Sequence, residues 1–223
     1  MCIRDRVYDM GSGLLRKTSI ALLEDEPDVR QTLKSGVDLV CFSGDKLIGG
    51  PQSGIIAGKA GLIRTLKREP MVRALRVGKT TLAYMETALK YYLDDESLLK
   101  NNTIFSTLNQ SATELSQKAE SLSRLLDQHN IPTEIIENQG YCGGGALPGE
   151  SIASKAIKLN IPFNTGKERS AFSEKVFHEL LRQNPPMISI LKKGEIILDV
   201  LTIHNRELNL AADLIVMAIK KYR

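Results

Sequence analysis

Apolar positions recur along the chain with two different periods, and glycine and proline mark the changes from one to the other. Short apolar runs bounded by glycine, at residues 7–10, 37–42 and 54–58, read as strands. Helical stretches at 29–35, 60–68 and 80–93 alternate with them, and the alternation predicts part of a mainly parallel α/β sheet. A seam is expected near Asn101-Asn102. Beyond it Leu108, Ala112, Leu115, Ala119, Leu122 and Leu126 repeat at steps of four and three, so they line one face of a long helix. A strand at 133–137, a glycine-rich loop, a strand at 151–159, a helix at 170–183 and two strands within 187–200 follow. Leu208, Ala212, Ile215 and Ile219 form the apolar stripe of a last helix. Residues 7–100 are thus expected to belong to a large α/β domain and 101–223 to a small α+β domain.

With 42% hydrophobic and 25% charged residues, the 223-residue chain has the composition of a folded soluble protein. No run approaches the roughly 18 apolar residues of a spanning helix, and no apolar signal core follows the first charges. A cytoplasmic protein without membrane contact is the expectation. Cys2, Cys41 and Cys142 are widely spaced, form no CxxC pair and have no histidine at ligand spacing, which argues against a disulfide framework and a metal site. His129, His178 and His204 have no nucleophile or carboxylate at a telling distance and read as structural or solvated. The net charge of +4 permits an anionic partner without requiring one. Residues 1–6, MCIRDR, offer neither cap nor period and resemble a translated sequencing-adapter tag, so a non-native leader is expected there.

Candidate chemistry concentrates in FSGDKLIGGPQSGIIAG, residues 42–58. Lys46 stands between the polar Ser43-Gly44-Asp45 turn and the Leu47-Ile48 pair, with Gly49-Gly50-Pro51 making a tight bend beyond. A Schiff-base lysine must present a neutral amine, which desolvation and neighbouring cations favour. Glycines let backbone N–H groups approach an anion, and Ser43 could add a hydroxyl. Lysine plus anion nest points to pyridoxal 5'-phosphate; by spacing alone S-x-x-K also fits an ordinary loop lysine. Asp9, at a strand end before Gly11-Ser12-Gly13, supplies the carboxylate that keeps a pyridine nitrogen protonated, or else a turn or capping residue.

The segments YDMGSGLL, EPDVRQTLKSGVDLVCFSGDKLIGGPQSGIIAGK and RALRVGKTTLAYMETALKYY closely resemble the bacterial L-seryl-tRNA(Sec) selenium transferases, or selenocysteine synthases. The resemblance is dense to Tyr92, thin from Leu93 to Gln139, and returns at YCGGGALPGE and GEIILDV. It implies a fold-type-I pyridoxal-phosphate transferase, of which this chain matches the C-terminal half. The reaction implied converts seryl-tRNA(Sec) to selenocysteinyl-tRNA(Sec) with selenophosphate as donor, in a homo-oligomer built as a ring of dimers. By motif, Lys46 is the Schiff-base lysine and Asp9 the partner of the ring nitrogen. Ser43, Gly49 and Gly50 fall at the cofactor phosphate, and Arg73 and Arg76 at the oxyanion of the selenium donor. Residues three apart share a helical face, where two guanidinium forks can grip a phosphate. A solvated basic face, with Lys67, Arg68 and Lys79 nearby, is the other reading of that pair.

Four positions depart from the family pattern: Gly78 for aspartate, Ala146 for serine, and Leu191 and Leu201 for arginine. They motivate an alternative, a pyridoxal-phosphate lyase acting on a free small amino acid or amino-sugar acid. Loss of a cation at Leu201 leans instead towards an esterified substrate. A third reading is an inactive RNA-binding or assembly fragment. The triplet Gly143-Gly144-Gly145 fits a loop hinge or an active-site entrance.

Overall fold

The lengths of the connections decide how the first three strands pair. In the computed structural model, which describes residues 6–143 and 145–223, β1 (Val7–Gly11) runs parallel to β2 (Leu39–Ser43). The connection between them is long enough to cross over and includes α1 (Val29–Lys34). Only residues 44–53 separate β2 from β3 (Gly54–Gly58), too few for a parallel crossover, so this pair is antiparallel. The sheet is therefore mixed, with order β1-β2-β3, where a mainly parallel one was expected.

Val40 and Phe42 turn one face of β2 into a core that also holds Leu14, Leu47, Ile48, Leu98 and Phe105. Helices α2 (Ala60–Leu66), α3 (Pro70–Ala74), α4 (Lys79–Tyr91), α5 (Asp95–Asn101) and α6 (Thr103–Leu108) follow. The expected seam falls inside this unit. Asn102 is buried, and its side-chain oxygen accepts from Ile104 N at 3.0 Å and Phe105 N at 3.3 Å while its amide donates to Ile48 O at 2.8 Å. Two adjacent asparagines look like a linker in sequence, but here one of them is a helix cap inside a core. The first compact unit runs to Asn109 and also takes in Cys142–Glu150.

The second unit comprises Gln110–Tyr141 and Ser151–Arg223. The helix expected from Leu108 starts later, as α7 (Ala112–Asp127), because Ser111 and Glu114 form a capping box that sets its first turn. β4 (Thr133–Tyr141) outruns its expected length, pairing with all of β5 (Ser151–Leu159). After α8 (Gly166–Arg182), β6 (Ile190–Lys192) and β7 (Glu195–Asp199) form a hairpin, and Lys193 and Gly194 both adopt positive φ at its turn. α9 (Leu208–Lys220) ends the unit. The antiparallel order is β4-β5-β7-β6, and Ile157, Ile196 and Leu198 meet Leu122, Val176 and Ile215 of the helices in one core. Among the described residues no helix is long and apolar enough to cross a membrane.

Arg6 already belongs to the first unit, for its N–H donates to Asp38 Oδ2 at 2.6 Å and its carbonyl accepts from Asp38 N and Leu39 N. Residues 1–5 of the expected leader lie outside the described residues. Lys59 pairs with the same Asp38 carboxylate, and that bond, helped by the Arg6 N–H, holds the carboxyl below its ordinary range.

Two outcomes follow. Asn102→Ala should lower stability by about 2–3 kcal/mol, combining a lost cap with an unmet buried carbonyl, as read by urea unfolding. Because the folded pKa of Asp38 is depressed, its stabilisation is present at neutral pH and lost as pH falls through the carboxylate range. Asp38→Asn should therefore be less stable than the parent at pH 7 and show a shallower loss of stability on acidification.

Candidate active site

A bulge at the end of β1 shapes the first wall of the site. Asp9 pairs with Cys41, but Gly11, two residues on, pairs with Phe42, so Met10 is the extra residue. The Asp9 carboxylate accepts from Gly11 N at 3.1 Å and closes this turn. Asp9 is exposed on the sheet face opposite the core, and Cys41 and Ser43 share that face through the two-residue period of a strand. Burial, aided by the Asp9 charge, pushes the Cys41 thiol up, so it is held neutral next to the carboxylate.

Lys46 lies in the connection between β2 and β3, and the turn is pinned from several sides. Leu47 N donates to Ser12 O at 3.0 Å, tying it to the loop after β1. The Tyr92 hydroxyl donates to Leu47 O at 2.8 Å, and the Asn102 amide holds Ile48 O. Burial raises the Tyr92 phenol, keeping it a hydrogen-bond donor, while Arg16 donates to the Tyr92 carbonyl at 3.0 Å. Leu47 and Ile48 are buried, whereas Lys46 is only partly so. Its Nζ would stand 3.6 Å from a Cβ at Gly11 and 3.8 Å from one at Gly145, which lies in the segment Cys142–Glu150 of the same unit. Gly144 of the glycine triplet lies outside the described residues.

The structure thus brings both Asp9 and Lys46 close to Gly11, with Ser43 three residues before the lysine at the end of β2. An amine and a carboxylate beside a position without Cβ, with a serine at the end of the neighbouring strand, are a donor set that fits pyridoxal phosphate. Gly49 and Gly50 have an additional reason to be glycine. At Gly49, with φ of 70°, a Cβ would lie 2.7 Å from the Asn102 amide nitrogen; at Gly50 it would crowd Met85 at 3.1 Å.

Arg73 and Arg76 do not share a helix, since α3 ends at Ala74. Arg76 N still reaches Arg73 O at 3.4 Å, and both side chains are exposed among the exposed apolar residues Met71 and Leu75. Gly78 is the N-cap of α4, where an aspartate would accept from the helix N–H groups, so the departure there costs a cap. Ala146 is buried in the first core, Leu191 packs against the second, and Leu201 is buried close to Gly140. Tyr92, Asn102 and Ser12 escaped sequence reasoning, because their bonds to the lysine turn join residues far apart in the chain.

A profile of the L-seryl-tRNA selenium transferase family matches residues 5–204. A relative named L-seryl-tRNA(Sec) selenium transferase from Clostridium botulinum (strain 657 / Type Ba4) is 36% identical over 208 residues, 92% of this chain and 43% of that protein. Relatives of the same name from Alkaliphilus metalliredigens and Hyphomonas neptunium are 35% and 36% identical, each over 90% of this chain and 42% of their own length. The chain therefore spans less than half the length of these relatives. Among solved structures, D-glucosaminate-6-phosphate ammonia-lyase superposes with a TM-score of 0.57 at 18% identity, covering 97% of this chain and 49% of that one. The fold is therefore shared with that enzyme over about half of its length. With the match running through the Asp9 turn, the Lys46 turn and the hairpin of the second unit, the chain belongs to the L-seryl-tRNA selenium transferase family.

Proposed function

We propose that the chain serves the pyridoxal 5'-phosphate-dependent conversion of L-seryl-tRNA(Sec) to L-selenocysteinyl-tRNA(Sec), with selenophosphate as selenium donor. The observation that carries this reading is the Lys46 amine placed against Gly11, whose N–H is held by the Asp9 carboxylate. Lys46 would hold the cofactor through its Nζ, Asp9 would face the ring nitrogen, and Ser43 with the Gly49-Gly50 turn would meet the phosphate. Bound there, pyridoxal phosphate supplies an electron sink for negative charge at the substrate α-carbon. With the seryl amine bound, Lys46 would be free to take the α-proton at Nζ. The β-hydroxyl would leave with a proton as water, and selenium would enter at the same β-carbon as the P–Se bond of selenophosphate breaks and its phosphoryl group passes to water as phosphate. Arg73 and Arg76, exposed and cationic, hold the anionic donor by charge-assisted hydrogen bonds.

Because the chain spans less than half of its relatives, turnover is assigned to the longer protein and not to this segment alone. The same reading makes that protein a cytoplasmic homo-oligomer built from dimers. A lyase acting on a free amino acid would need a cation for the substrate carboxylate, and the buried Leu201 provides none at the tail position. An esterified serine has no such carboxylate.

Borohydride treatment after incubation with pyridoxal phosphate should place the adduct at Lys46, and Lys46→Ala should abolish it, as read by peptide mass mapping. Labelling spread over surface lysines, with no preference for Lys46, would sink the assignment. In the longer protein, Arg73→Gln and Arg76→Gln should each raise the KM for selenophosphate by about 10–100-fold, the loss of one or two charge-assisted bonds. Initial-rate kinetics would show this, with the Lys46 adduct unchanged.

A further inference from the structure

Three features meet at the Lys46 amine, and one of them is left unexplained by the chemistry above. Lys46 carries the reactive nitrogen and Gly11 ends the strand of Asp9, but Gly145 comes from the segment Cys142–Glu150, which lies far along the chain yet packs in the same unit. Two neighbours hold that segment in place. Ala146 and Leu147 are buried in the core with Leu14 and Ile48, and Cys142 packs beside them. Leu147 keeps φ at 50°, a left-handed conformation costly for a leucine, so burial outweighs backbone preference there. Gly145 is thereby fixed facing the lysine.

A Cβ at Gly145 would stand 3.8 Å from Nζ, and one at Gly11 would stand 3.6 Å from it. These are ordinary contact distances for a free amine. They become too short once the nitrogen carries a substituent. When Nζ condenses with an aldehyde, a C=N bond forms, and the carbonyl oxygen leaves as water with the two amine protons. The new carbon lies only about 1.3 Å from the nitrogen. The plane of the imine would carry a ring away from it, and a methyl group at either glycine, already in contact with Nζ, would crowd its approach.

We infer that Gly145 is a specificity-determining residue of the Lys46 site: with Gly11 it leaves the room that admits a planar aromatic aldehyde to the amine. The inference rests on Lys46 being the Schiff-base lysine. Gly149 supplies an internal control, because it also has a positive φ, of 89°, but nothing lies within 4 Å of its Cβ position. Alanine there imposes comparable backbone strain without approaching the amine.

The test compares the parent chain with Gly145→Ala, Gly145→Asn and Gly149→Ala. Asparagine adds a Cβ while tolerating the left-handed region, which separates crowding from strain. Two reagents read Lys46 by peptide mapping: pyridoxal phosphate trapped with borohydride, and acetic anhydride as a small electrophile. Both Gly145 variants should trap pyridoxal phosphate at Lys46 about tenfold more slowly, a modest overpacking cost, while acetylation changes less than about twofold. Gly149→Ala should leave both rates within about twofold. Parent-like trapping in the Gly145 variants, or an equal loss in Gly149→Ala, would overturn the role of Gly145 alone. If the parent chain is acetylated at Lys46 but never trapped there by pyridoxal phosphate, the Schiff-base assignment falls, and this inference falls with it.

Discussion

Two buried carbonyls, those of Leu47 and Ile48, impose the constraint around which the first unit is arranged. The lysine turn must bend sharply between antiparallel strands while its two apolar residues enter the core, which strips water from the backbone between them. An unmet buried carbonyl would cost about 1–3 kcal/mol. Tyr92 at the end of α4 and Asn102 between α5 and α6 supply the donors. Each is itself secured: Tyr92 stacks edge-on against Phe105 at 5.6 Å, and Asn102 caps α6. The helices after the sheet therefore do more than cover it. They fix the register of the turn that presents Lys46.

The same logic explains how the family departures are absorbed. Ala146, Leu191 and Leu201 are apolar residues at positions that this chain packs into its two cores. In the second unit a buried Lys118, whose amine pKa is lowered by burial, donates to Gln110 Oε1 and to Val200 O. Asp199 accepts from Asn138, Ser154 and Leu201 N, so the tail after β7 is held by backbone and side-chain polar groups. An arginine at 201 is not needed to order it.

Charge among the candidate residues is unevenly distributed. Asp9 is exposed on an open sheet face, and its one described hydrogen bond is to backbone, which leaves carboxylate capacity for a ligand. Arg73 and Arg76 lie in the exposed stretch after β3, where guanidinium groups stay solvated and free to turn towards an anion. The neutral Cys41 thiol, opposite Asp9 in the sheet, adds no competing charge there.

The strands, the longer helices and the lysine turn were legible in the sequence because each follows from local rules, apolar period and glycine around a tight bend; the short α3, α5 and α6 and the Ser111 cap were not read. Asp9 and Lys46 were named as candidate site residues from residue type and motif, and both come close to Gly11 in the structure. The antiparallel return of β3 was not read, although the short 44–53 connection carried the signal. Tertiary packing alone decided that Asn102 is a core cap, that Tyr92 holds Leu47, and that Cys142–Glu150 lies in the unit of Lys46. Those facts depend on which distant donor meets a buried carbonyl and on which loop side chains find room in a core, and neither has any periodicity along the chain.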